Sequence, residues 1–220
     1  MNAGLLLKSA RETAVLLLIV SSALAIVEAI FSGVLPGLVQ DIGAQVLQIP
    51  FIRTIFQALL GTDVGDMMVP EAIVAIAWVH PAVLALVWTY AVVFCTRVPA
   101  AEIERGSIDV LFGLPVSRWR VWLAEAAVFL VTGAVLLVLA MIGHRLGMLW
   151  MNPEQRPAMG RMFGVVSNLY CLYVAVGGAA FAISALSDRR GRATAGIFGL
   201  LLGSFLLSFL AQFWAPAKVV

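Results

Sequence analysis

Glu102-Ile103-Glu104-Arg105-Gly106-Ser107-Ile108-Asp109-Val110-Leu111-Phe112-Gly113-Leu114-Pro115-Val116-Ser117-Arg118 is a charged stretch that runs into a proline turn, set between two runs apolar enough to span a membrane. A plain connector between two spans needs neither this length nor this pattern. A polar, structured insert at such a place can dock a soluble partner, and function concentrates in connecting segments of this kind.

Composition defines the setting. Of 220 residues, 62% are hydrophobic and 12% charged, and the mean hydropathy is +1.03, whereas soluble domains use roughly 45–50% apolar residues. The chain reads as an integral membrane protein. A formal charge of +2 gives no broad basic surface, which sets nucleic acid aside as a partner. Five segments approach the roughly 20 apolar residues a span requires: 13–35, 72–96, 121–143, 162–186 and 193–214. Lipid cannot satisfy open backbone groups, so all five are expected as helices of one all-α, polytopic bundle covering 1–220.

Basic residues orient the bundle. Lys8, Arg11, Arg97, Arg105, Arg118, Arg120, Arg189, Arg190 and Arg192 fall on one side, against Arg53, Arg145, Arg156, Arg161 and Lys218 on the other. The richer side is expected in the cytoplasm, with the amino terminus and the Glu102 segment. Lys8, Arg11 and the apolar run behind them also fit a cleavable signal peptide, but the run continues past Ala23-Leu24-Ala25 to Leu35, as a retained span does. Cys95 and Cys171 lie at different depths and read as small buried apolar residues. The connection at 41–60 mixes apolar residues with Gln45, Gln48 and Arg53; it is expected as a helix in the outer lipid interface, or equally as a lid on the spans.

Within the opening stretch, a helix is expected from Ala100 to Leu114. Pro99 suits its first turn, Glu102 and Glu104 complement the positive end of its dipole, and Pro115 forbids continuation. Glu102, Arg105 and Asp109 would form a wet stripe, with Ile103, Ile108, Val110 and Leu114 supplying apolar surface. Pro115 and Val116 make a turn, and Ser117 is a good N-cap for the helix beginning at Arg118. On physics alone, the same charges could simply solvate an interfacial helix.

The segment resembles the signature of the type-2 class of ATP-binding cassette (ABC) transporter permeases. In that signature an acidic residue, Glu-Arg-Gly-Ser/Thr, an apolar helix and Leu-Pro-Val-Ser-Arg follow in order; here these are Glu102, Glu104-Arg105-Gly106-Ser107 and Leu114-Pro115-Val116-Ser117-Arg118. The resemblance implies that this is a coupling helix, with Asp109 included, seated on a cytoplasmic ABC ATPase subunit that carries ATP and Mg. It also implies a second, weaker contact at Asp188, Arg189, Arg190 and Arg192, and a second permease subunit in a homo- or heterodimer. Function is then that of a permease subunit, an exporter in the inner membrane, with no cofactor or catalysis on this chain. Two departures stand out. Similar permeases often carry Lys at the position of Glu125, and the family has six spans where five are read here. The sixth is expected to be missing from this stretch of sequence, with a partner's helix or a different topology as alternatives.

Glu28, deep in the first span, is a functional candidate because an intramembrane ionisable group is costly; snorkelling to the outer surface is its bland reading. His80-Pro81 is expected to kink span two. Asn168 could line a translocation path with Glu28 and His80 or, like Tyr170 and Tyr173, bond a neighbouring helix. No Gly-x-x-x-x-Gly-Lys-Ser/Thr loop occurs, so ATP would be hydrolysed elsewhere. An intramembrane enzyme lacks a nucleophile elbow or metal-ligand spacing to recommend it, and a membrane-embedded assembly factor without ATPase coupling is the remaining alternative.

Overall fold

The computed structural model describes residues 3–38, 77–113, 115–151, 153, 156 and 159–213, and among them every regular element is helical. The first helix, α1 (Ala3–Leu38), is a run of Leu, Val, Ile and Ala with its one proline, Pro36, in the last turn. Its 36 residues make it about 54 Å long, more than a hydrocarbon core of about 30 Å needs. The buried face of α1 carries Ser9, Thr13, Ser21, Glu28 and Ser32, while Val15, Leu18, Ile19 and Ile26 are exposed. Small and polar residues inside with large aliphatics outside is the arrangement lipid demands.

Span two begins with a break rather than the smooth kink that His80-Pro81 leads one to expect. A helical turn ends at Val79, His80 leaves helical geometry (φ −59°, ψ 137°), and its Nδ1 caps α2 (Pro81–Cys95) by accepting from Ala82 N at 3.2 Å. Pro81 occupies the first helical position, where its missing N–H costs nothing. A wide turn, Arg97–Ala101, and a single helical turn, Glu102–Glu104, follow at 53° to α2.

The expected continuous helix from Ala100 to Leu114 is not found. Val98 within the wide turn is extended (φ −130°, ψ 128°), the helical turn stops after Glu104, and helix resumes as the short α3 (Ile108–Gly113). The cause is Gly106, which has φ 71°. Ser107 N donates to Glu102 O and Gly106 N to Ile103 O, both at 3.0 Å, the paired bonds of a helix stop built on a left-handed residue. Because of this break, Glu102 and Asp109 do not share one helical stripe.

Ser117 caps α4 (Arg118–Gly147) as expected, its side chain accepting from Arg120 N. Next come α5 (Met159–Ala185) and α6 (Arg190–Phe213). Among the described residues, three helical stretches, Ala3–Leu38, Arg118–Trp150 and Met162–Ala185, are long and apolar enough to cross a membrane, the bent pair around Cys95 makes a fourth if it is one span, and α6 is not counted with them. α6 occupies the place of the fifth expected span. Residues 41–60 and 72–76, Leu114 and Trp214 lie outside the described residues.

Helix α1 runs parallel to α4. Ser9 meets Glu125 at one end of the seam and Ser32 meets His144 toward the other. Gly143 and Gly147 on α4 let the backbones touch: a Cβ at either would collide with the Ala25 or Ala29 carbonyl of α1. Against this pair pack α2 and α5 through an aromatic core, with Phe129 stacked on Tyr173 at 4.3 Å and Tyr173 donating to Phe129 O at 3.0 Å. Tyr170 likewise bonds Leu130 O, so both tyrosines pack between helices, whereas Asn168 is exposed. Both cysteines are free, but only Cys95 is buried; Cys171 is exposed on α5, where a weakly polar thiol can face lipid.

Candidate functional site

At the basic end of the bundle, four helices converge on the wide turn at Arg97. This arginine comes from the last turn of span two, where the bend turns it back toward α1 and α4. Its guanidinium donates to Glu12 and Glu125 and, at 2.8 Å, to Ser9 Oγ. Ser9 in turn donates to Glu125 Oε2 at 2.8 Å. Arg97 also lies over the Phe94 ring, 5.3 Å from its centroid. An arginine offers several donors in a fixed fork, which is why one cation can serve two carboxylates and a hydroxyl at once. Glu125, buried in α4, is therefore an internal partner of Arg97.

The Glu102 segment is bound into this cluster. Lys8 lies 3.4 Å from Glu12 and 3.8 Å from Glu102, and Glu102 also accepts from Ser107 Oγ. Glu104 reaches the other loop at this end: its carboxylate accepts from Arg190 N at 2.9 Å, at the start of α6. A carboxylate at a helix start satisfies an orphan N–H and faces the positive end of the dipole. Arg190 Nε approaches Thr96 Oγ1 at 3.4 Å, and Ser184 Oγ accepts from Ala100 N at 3.4 Å, fastening the wide turn to α5 and α6. Between the start of α1 and the segment lies an open groove of about 720 Å³, lined by Lys8, Glu12, Glu102, Arg105, Val110 and Val116 among others.

Comparison with known families is decisive. A model described as ABC-2 family transporter protein matches residues 12–219. The chain belongs to that family. No curated protein and no solved structure matches it.

This ABC-2 chain is thus an integral membrane, permease subunit of an ABC transporter, and the family implies partnership with an ATP-binding subunit. The sequence-predicted residues of the ABC-2 permease divide into three groups. Glu102, Glu104, Gly106, Ser107 and Arg190 are brought together by the helix stop and the α6 cap. Arg105, Asp109, Pro115, Ser117, Arg118 and Arg189 are exposed, Val116 is half-buried, and Asp188 pairs with Arg192 at 2.6 Å on the surface. Glu28, His80 and Asn168 lie away from this end and are not one site: Glu28 is fully buried, His80 is a helix cap, and Asn168 is exposed. What the motif reading missed is the Ser9–Glu12–Arg97–Glu125 cluster. Its signal was present, since a carboxylate inside an apolar span calls for a partner of opposite charge.

Proposed function

We propose that this permease subunit couples ATP hydrolysis on a separate cytoplasmic ATPase to outward movement of a substrate across the inner membrane, as one of a pair of permease subunits. ATP and Mg belong to the ATPase, and the basic end of the bundle, with the amino terminus, faces the cytoplasm. The observation that carries this reading is the attachment of the Glu102–Arg118 segment. It is joined to α6 by the Glu104 cap, to α1 and α4 through Lys8 and the neighbouring Arg97 cluster, and directly to α4 by the Ser117 turn.

A push on such a segment reaches several spans without being lost in slack chain. The seat for the ATPase is α3 with the exposed apolar residues Ile103 and Val110, ringed by Arg105 and Asp109. Arg189 and Arg192 provide the lesser contact. The substrate path runs between the spans.

The test is a double variant, Arg105→Glu with Val110→Asp, chosen because both side chains are exposed and leave the internal bonds intact. Expected is an inserted, folded permease that no longer retains a co-purifying ATPase or stimulates its turnover. Undiminished retention and stimulation would remove α3 as the docking element.

A further inference from the structure

Far from the basic end, Glu28, Ser32, Trp78 and His144 meet where α1 crosses α4, and none of these side chains has exposed surface. The glycine notches at Gly143 and Gly147 force the meeting by drawing the two backbones together. Glu28 Oε2 lies 3.4 Å from His144 Nδ1, and Ser32 Oγ lies 2.5 Å from the same nitrogen. The Trp78 ring covers the histidine at 5.1 Å between centroids. Among the described residues, neither Glu28 oxygen has a hydrogen-bond partner, nor have His144 Nε2 and Trp78 Nε1.

An ionised carboxylate held there would have at best one donor, an imidazole N–H 3.4 Å away at a nitrogen that Ser32 also contacts, in the medium that tolerates it least. A metal ion does not fit, because the cluster offers two ligating side chains and no group of three exists among the described residues. A proton needs no cavity and only one acceptor. We propose that Glu28 and His144 form a proton-binding site at the α1–α4 crossing, taking one proton between them and holding the crossing closed while it is bound.

With the proton present the pair is neutral overall, as a carboxylic acid beside a neutral ring or a carboxylate beside an imidazolium. The Ser32 hydroxyl serves both forms, donating to a bare Nδ1 and accepting from a protonated one. When the proton leaves for water, one negative charge stays at the crossing with nothing to balance it, and separation of α1 from α4 with entry of water relieves it. The other ionisable groups on the described elements around the site are few. His80 is reached through Phe31, with rings 4.4 Å apart; Arg145 is on the exposed side of α4; Arg156 is bound to the Leu149 and Met151 carbonyls. This site is remote from the Glu102 segment, so the inference stands or falls separately from ATPase coupling.

The experiment uses the full chain in lipid nanodiscs, with infrared spectra and melting temperature followed from about pH 5 to about pH 8 and above. Above about pH 6.5 an unfolded glutamate and histidine hold no proton between them, so a crossing that keeps one should lose stability as pH rises in that range. Glu28→Gln should remove a carboxyl band, protonated or ionised, whose intensity follows pH, and flatten that fall. His144→Gln, which keeps an acceptor for Ser32 but cannot take the proton, should shift the band and the pH at which stability drops. If Glu28→Gln does not fold, Glu28→Asp should move the band. A band indifferent to the Glu28 substitutions, or a melting profile in His144→Gln that tracks the native chain at every pH, overturns the proposal.

Discussion

The α1–α4 seam holds a buried carboxylate near each end, and the two are served differently. Glu125, at the basic end, has the Arg97 guanidinium and the Ser9 hydroxyl. Glu28, toward the other end, has only an imidazole at 3.4 Å, and that ring is already in contact with Ser32. Arginine is charged at every accessible pH; histidine is charged on condition. One end of the seam is therefore held by a permanent cation, while the carboxylate at the other has only an imidazole and a hydroxyl near it among the described residues.

The largest expected effect comes from breaking the permanent lock. Arg97→Met leaves Glu125 buried without its cation, and removing one member of such a buried pair costs about 3–5 kcal/mol. Unfolding in lipid should show the loss, and adding Glu125→Leu to Arg97→Met should recover much of it. If Arg97→Met melted like the native chain, the contrast between the two ends would have no energetic content.

Next is the seam itself. Gly143→Val drives a side chain into the Ala25 carbonyl and should cost about 1–3 kcal/mol or prevent the crossing altogether. Gly178, whose added Cβ would meet nothing within 4 Å, is the control, with Gly178→Ala expected to change stability by no more than about 0.5 kcal/mol. Equal effects of the two would mean that close approach is not what sets the seam. A smaller change, about 1–2 kcal/mol, is expected from Gly106→Ala, because the helix stop requires a left-handed residue. Faster trypsin cleavage after Arg105 would report it, and an unchanged cleavage rate would deny the stop its role. Smallest is Asp188→Asn, which removes a surface pair with both side chains more than half exposed; less than about 0.5 kcal/mol is expected by thermal melting.

How much of this was legible in the chain follows from the range of the forces involved. The all-helical bundle and the Ser117 cap are local or compositional, and both were readable. The stop at Gly106 was also local, since Glu-Arg-Gly-Ser is the kind of ending that a left-handed glycine makes, but a helix pattern counted straight across it hid the break. Arg97 was counted only as one more positive charge. Its partners sit on helices 85 and 28 residues away, and no periodicity reports a distance of that kind. His144 escaped because the span was read as 121–143, whereas α4 continues to Gly147 and carries it inside. Glu28 was recognised from its cost alone, and the partner that explains it came only with the crossing.

The glycine notches have one more consequence. Two carbonyls of α1, one turn apart, sit in two gaps of α4, also one turn apart. A slide in either direction lifts at least one of them onto a bulkier side chain, since the residues one turn beyond the glycine pair are Leu139 and Met151, so the two helices have a single register. Helices keyed in this way travel as one body or come apart, and a stroke delivered at one end would arrive at the other without slippage.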